Sequence, residues 1–266
     1  MVVLVGNPSP DRKLIVFLLD DAHRIAAVLK IGVTAGGRLS VLREAEVLRK
    51  LERYCWAPNI LSVLPDLGAA AQEYVDGTLP DLELRPAYLD LLCRLPPSGG
   101  SLKLTDATDA MESRLRPWAD EVHRIVPDLL TRCLSCLDLD TAVPTMLVHG
   151  DFVPWNIRKT PNSGYVLVDW EWADFAGLPA HDLLHFQFSK DRLFEGKGGD
   201  YAAIRKRSVC TEYMKRMDLD PELFPRLAIL YLLDRLEAHF KYVDSVAGPY
   251  LLRQLESVID SLGFAS

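Results

Sequence analysis

Apolar residues follow two spacings along this chain, and the change from one to the other marks its organisation. Over the first 32 residues the short apolar runs VVLVG, LIVFLL and RIAAVLKIG are separated by NPSPDRK and DDAH, both rich in turn formers. Short apolar runs bounded by such residues read as strands. From Leu39 to Leu51, LSVLREAEVLRKL carries helical spacing, with Ser40 as candidate N-cap. Two more short strands flank PDLG, the second being AAAQEYV. Residues 1–75 are therefore expected to form a five-stranded sheet with one helix, with a boundary near Val75 or Asp76.

Beyond DGTLP the period lengthens. Residues 76–266 read as long helical stretches, interrupted by PPSGG, by LVHGDFVPWNI and by GYVLVDW. RLAILYLLDRLEAHFKYV is apolar nearly all round at its start, which requires burial. FEGKGGDY, residues 194–201, reads as a mobile loop. The pattern is that of an α+β protein with sheet first and helices after.

Composition narrows the choice. At 266 residues, 49% hydrophobic and 25% charged, the chain is an ordinary globular one with room for two lobes. Thirty Lys and Arg against 37 Asp and Glu leave a formal charge of −7, so the basic field that nucleic acids require is missing. No apolar run reaches the roughly 18 residues of a spanning helix, and MVVLVGNPSPDRK lacks a basic leader and a cleavage site. The expectation is a cytoplasmic protein with neither nucleic acid nor membrane as partner. Five scattered cysteines (55, 93, 133, 136, 210) fit a reducing compartment. Cys133-x-x-Cys136 lacks the second pair that zinc would need. Trp118, Val122, Ile125, Leu129 and Cys133 recur at helical spacing, so Cys133 is expected as a core thiol.

The polar residues inside LVHGDFVPWNI call for a different explanation. Taken singly, Asp151 reads as a turn former and Asn156 as a cap. Thirteen residues after Asn156, however, the apolar run of YVLVDWEW delivers Asp169 at its end. In such a set one aspartate accepts a proton from a hydroxyl, while an amide oxygen and a second carboxylate hold magnesium against nucleotide phosphates. AAVLK puts Lys30 at the end of the third strand, where a phosphate-binding lysine belongs. On a helical wheel Glu44 points into the cluster of Val41, Leu48 and Leu51, whereas Glu46 points away and precedes Lys50 by four. A carboxylate on an apolar face needs a partner. Glu44 is therefore the expected partner of Lys30.

HGDFVPWN followed by VLVDWEW resembles the aminoglycoside phosphotransferase and choline kinase family, small-molecule kinases with a protein-kinase-like fold. The resemblance implies two lobes: a small antiparallel-sheet lobe over 1–75 that binds nucleotide, and a larger, mainly helical lobe over 76–266. It implies Asp151 as catalytic base, Asn156 and Asp169 as magnesium ligands, and His149 as a structural loop residue. It implies that Ser9, in Ser9-Pro10, donates to a phosphate where a glycine-rich loop is missing; an ordinary hairpin turn is the alternative. Backbone at Glu73 and Val75 would meet adenine. Asp182 of PAHDLLHF would brace the catalytic loop, or serve simply as a helix N-terminal carboxylate. His-Gly-Asp lacks the arginine of the protein-kinase H-R-D, so control by activation-loop phosphorylation is not expected.

The acceptor is less defined. Trp155, Trp170 and Trp172 crowd the motifs, and DWEW resembles the DFEY of choline and ethanolamine kinases, whose cationic substrates use cation-π contacts; ordinary packing is the alternative. Asp234 and Glu237, three apart on the last apolar helix, are implied acceptor residues; pairing of Glu237 with Lys241 and of Asp234 with an arginine is the alternative. The acidic Asp191, Glu195 and Asp200 read as a solvated loop, with a cation-attracting mouth as the alternative. The expected activity is ATP- and magnesium-dependent transfer of a phosphoryl group to a hydroxyl of an aminoglycoside, sugar or amino alcohol, with GTP as an alternative donor. A non-catalytic nucleotide-binding pseudokinase is the rival from another class.

Overall fold

The structure is a computed structural model and describes residues 2–6, 9–79, 83–137, 140–161, 164–190, 201–242 and 247–263. Its strands are β1 (Val2–Val5), β2 (Lys13–Leu19), β3 (Ile25–Gly32), β4 (Ile60–Leu64), β5 (Ala69–Glu73), β6 (Pro97–Lys103), β7 (Ala142–Val148), β8 (Ile157–Thr160), β9 (Gly164–Leu167) and β10 (Asp174–Gly177). Its helices are α1 (Ala35–Leu51), α2 (Pro86–Leu92), α3 (Leu104–Leu115), α4 (Ala119–Ile125), α5 (Leu129–Leu137), α6 (His181–Lys190), α7 (Tyr201–Arg205), α8 (Ser208–Arg216), α9 (Phe224–Tyr242) and α10 (Ala247–Ser261). The architecture is α+β, with an antiparallel five-stranded sheet followed by a mainly helical part.

Two compact units form, one of Met1–Glu83 with His149–Ala173 and the other of Leu84–Val148 with Asp174–Ser266. They do not follow the single cut at residue 75 expected from sequence. The segment carrying HGDFVPWN and DWEW belongs with the N-terminal sheet, and its bonds explain why. Thr78 and Lys159 exchange backbone hydrogen bonds of 3.1 and 3.0 Å, and Leu167 N–H donates to the Trp56 carbonyl at 2.8 Å. Trp170 is fully buried beside Trp56, their rings 5.5 Å apart.

In the first unit the strand order is β1-β2-β3-β5-β4. Val41 and Ala45 of α1 pack on Ala70 of β5, with Ile60 and Val63 against them. The helix begins at Ala35, four residues before the sequence expectation, and Thr34 rather than Ser40 is its N-cap, its side chain accepting from Gly37 N–H at 3.0 Å. Gly36 and Gly37 look like breakers but are there for space: a Cβ on Gly37 would lie 2.1 Å from the Arg12 carbonyl oxygen. Ser40, inside the helix, is released for another contact described below. Strands β8 and β9 form a separate hairpin, pairing Ile157 with Leu167.

The second unit holds a three-stranded sheet of order β10-β7-β6. PPSGG, expected only to interrupt helices, lies largely in β6, with Pro97 on an edge strand where its missing N–H is tolerated. The expected continuous helix through Trp118 and Cys133 is two helices, because Pro127 has no N–H to give and Asp128 takes a left-handed φ of 58°. Val122, Leu129 and Cys133 are buried, while Ile125 is 54% exposed. Burial pushes the Cys133 thiol up, which makes it an inert core group. Helix α9 buries Leu227 through Leu233 and packs against α10. No described helix is long and apolar enough to cross a membrane. Asp191, Glu195 and Asp200, with most of FEGKGGDY, lie outside the described residues.

Candidate active site

Lys30 leaves β3 and Glu44 leaves α1, and the two meet in the interior of the first unit. Lys30 Nζ donates to both Glu44 carboxylate oxygens, at 2.7 and 2.6 Å, and to Asp169 Oδ1 at 2.7 Å. Lys30 is 5% exposed and Glu44 2%. Burial opposes the charged form of Lys30, but Glu44 and Asp169 outweigh it and hold the ammonium above the ordinary lysine range. Trp170 N–H adds a bond of 3.2 Å to Glu44 Oε1. Glu46 faces solvent and pairs with Lys50 at 2.7 Å. A buried pair of this kind contributes little net stability, yet it cannot lose one partner cheaply.

Asp169 lies two residues past the end of β9, with a left-handed φ of 70° that aspartate tolerates better than most residues. Burial works against its charge, and Lys30 and Lys13 overcome that effect, holding the carboxyl well below the usual range. Lys13 Nζ stands 3.4 Å from Asp169 Oδ1 and 2.5 Å from Glu171 Oε2, the oxygen to which Ser40 also donates. Lys13 and Glu171 were not singled out from the sequence, and Ser40 was read only as a helix cap. Their signal was available only through pairing: Ile15 sits opposite Lys30 and Lys13 opposite Gly32, so Lys13 and Lys30 project from one face of the sheet.

The loop from His149 to Asn156 is built around its first residue. His149 is fully buried, 4.5 Å from the Trp170 ring. Its Nδ1 accepts from Asp151 N–H at 3.3 Å and its Nε2 faces the Val168 carbonyl at 3.1 Å, which assigns the proton to Nε2. One imidazole thus ties the loop to the segment leading into Asp169. Gly150 has φ 81°, and a Cβ there would lie 2.2 Å from the Trp172 carbonyl oxygen. Asn156, buried in a short helical turn, gives its amide nitrogen to Asp151 Oδ2 at 2.8 Å and to the Asp151 carbonyl at 3.0 Å. Its amide oxygen is left as an acceptor, and Asp169 Oδ2 accepts no hydrogen bond from the described residues. An amide oxygen and a carboxylate are the donor set that a hard cation takes. Among the described residues no three His, Cys, Asp or Glu side chains cluster for a metal.

The other predicted residues are spread out. Trp170 is core, whereas Trp155 and Trp172 are 37% and 43% exposed. Ser9 is exposed in the turn before β2, its carbonyl accepting from Arg12 N–H at 3.2 Å. Glu73 ends β5 with its side chain on Asn59 Nδ2 at 2.9 Å, and Val75 follows, half-buried, past the ladder. Asp182, in the second unit, is buried in the first turn of α6, 3.6 Å from His181 Nδ1. Asp234 and Glu237 are in that unit too, and both already hold cations. Arg114 bonds to Asp234 at 2.8 Å and to Glu237, Arg235 bonds to Asp234 at 2.7 Å, and Lys241 pairs with Glu237.

A family model described as APH, phosphotransferase enzyme family, matches residues 14–219. No curated protein sequence matches the chain. Among solved structures, a thermostable mutant of aminoglycoside phosphotransferase APH(4)-Ia in its apo form is similar over 100% of this chain and 96% of its own, at 17% identity and a TM-score of 0.63. A thermostable mutant of the same enzyme in ternary complex with ADP and hygromycin B matches at the same identity and score, over 100% and 95% of the two chains. Choline kinase LicA from Streptococcus pneumoniae is similar over 97% of this chain and 94% of its own, at 16% identity and a TM-score of 0.56.

Proposed function

We propose, from the premise that this chain belongs to the phosphotransferase enzyme family, that it transfers the γ-phosphoryl group of ATP to a hydroxyl of a small molecule. The observation carrying this reading is the convergence of Lys30, Glu44 and Asp169, residues from a strand, a helix and a distant loop, on one ammonium group. Such a pair positions a lysine against nucleotide phosphates. Adenine would lie along the backbone of Glu73 and Val75, and the exposed Ser9 turn would approach the phosphates. GTP remains an alternative donor.

In the reaction the acceptor oxygen forms a bond to the γ-phosphorus, the bond from that phosphorus to the bridging oxygen breaks, and ADP leaves. Asp151 takes the acceptor's proton. Asn156 orients Asp151 through its amide nitrogen, and His149 fixes the loop in place. Asn156 and Asp169 would hold magnesium, which supplies charge neutralisation at the phosphates when bound. Positioning and electrostatics account for most of the rate in this class of reaction. Asp182 is a positioning residue in the helical part.

The acceptor is an aminoglycoside, a sugar or an amino alcohol. Asp234 and Glu237 are already neutralised by Arg114, Arg235 and Lys241, so a polycation would have to displace these partners; a neutral polyol or a singly charged amino alcohol against Trp155 or Trp172 fits better. Five unpaired cysteine thiols favour a cytoplasmic setting. The test is transfer from labelled ATP across aminoglycosides, sugars, choline, ethanolamine and nucleosides, beside Asp151→Asn. Labelling of one compound, lost in the variant while ATP still binds, is expected. Undiminished transfer by Asp151→Asn would remove the base assignment, and ATP binding without any transfer across widening panels would favour a pseudokinase.

A further inference from the structure

We propose that Lys13 is a second phosphate-binding lysine, contacting the terminal phosphates of the nucleotide beside Lys30. The assignment rests on the nucleotide reading above and extends it to a residue outside the motifs.

Three observations within the first unit carry it. Lys13 and Lys30 project from the same face of the sheet, since Lys13 stands opposite Gly32 and Ile15 opposite Lys30, and both ammonium groups reach Oδ1 of Asp169. The Lys13 side chain is 15% exposed and is aimed by Glu171, which Ser40 holds in turn. A lysine serving only solubility would not be gathered in this way.

The turn ahead of Lys13 supplies the second observation. A glycine-rich loop binds phosphate through backbone N–H groups pointing at the ligand. Here Gly6 N–H is spent on the Lys13 carbonyl at 3.1 Å and Arg12 N–H on the Ser9 carbonyl at 3.2 Å. Those amides are committed to the hairpin. An ammonium group at the start of β2 provides positive charge where these two backbone amides do not.

Charge balance is the third. Lys13 and Lys30 face Glu44, Asp169 and Glu171, two cations against three carboxylates. Without Lys13 the imbalance doubles, in a site meant to receive a polyanion. With Lys13, its bond to Glu171 can be exchanged for one to a phosphate oxygen while Ser40 continues to hold Glu171.

Calorimetric titration of the full chain with AMP, ADP and ATP in magnesium buffer tests the assignment, comparing wild type with Lys13→Met and Lys13→Arg. Loss of a charge-assisted bond to a terminal phosphate weakens ATP about tenfold or more, ADP less, and AMP less than about twofold. Lys13→Arg should recover most of the ATP affinity. An equal loss for all three nucleotides, or no loss, overturns the proposal and leaves Lys13 as a structural partner of Glu171. Wild type that binds none of the three overturns the nucleotide reading itself, and the proposal with it. Should Lys13→Met fail to fold, Lys13→Gln, which still donates to Glu171, carries the same comparison.

Discussion

Asn156 gives its side-chain nitrogen to Oδ2 of Asp151 at 2.8 Å. A carboxylate can only accept, so the amide must face it with nitrogen, and the amide oxygen is turned elsewhere as an acceptor. One side chain thereby donates to a carboxylate and keeps an acceptor oxygen, a combination that an ionised aspartate could not provide. Asn156→Asp would set two carboxylates in contact, and at that separation both cannot ionise. The acidic limb of the kcat/KM profile should move up by about one pH unit or more, and turnover at neutral pH should fall about 100-fold. A profile unchanged from wild type would mean that Asp151 is not the base.

Lys30 and Glu44 are unequal partners. Lys30→Met leaves the buried carboxylate of Glu44 beside Asp169 without its main cation, whereas Glu44→Gln leaves Lys30 still bonded to Asp169 at 2.7 Å. The first should cost about 3–5 kcal/mol and the second about 1–3 kcal/mol in urea unfolding. Equal losses would show that Asp169 does not share in stabilising the lysine.

The readable parts of this chain were those where local pattern and chemistry coincide. The five strands of the first sheet came from apolar runs between turn residues, and Glu44 came from a carboxylate on an apolar helix face. What escaped depended on partners distant in sequence. Strand β6 lies in PPSGG because β7, some 45 residues later, gives it an edge to pair with. The start of α1 was hidden by Gly36 and Gly37, whose purpose is the close approach of residues 10–12. Lys13, Ser40 and Glu171 come from three separate elements, and only the folded sheet brings them together. The carboxylates of α9 were visible, but the share of Arg114, 120 residues before Asp234, was not.

Asp234 makes stability depend on acid. Burial resists its charge, yet Arg235, His181 and Arg114 prevail and hold the carboxyl at about 2, below its ordinary 3.8. A carboxylate depressed on folding contributes stability that is complete above its unfolded pKa and is lost as pH falls through the folded one. This group should account for about 2 kcal/mol lost between pH 5 and pH 2. Denaturant titrations across that range should show a shallower slope for Asp234→Asn than for wild type; parallel slopes would mean that the arginine contacts do not persist in solution.

Gly150 explains why the loop reads His-Gly-Asp. Its φ of 81° suits glycine, and a Cβ would come within 2.2 Å of the Trp172 carbonyl oxygen. An arginine cannot be placed there without moving either the loop or the segment after Asp169, and both carry candidate site residues. Gly150→Ala, the smallest change, should therefore lower stability by about 2–4 kcal/mol and reduce turnover more than nucleotide affinity, because Asp151 shifts while Lys30 does not. Thermal unfolding and calorimetry on the same preparation separate these effects. If Gly150→Ala melts with wild type and retains its activity, the close approach to Trp172 is not a feature of the working protein, and the missing arginine needs an explanation other than space.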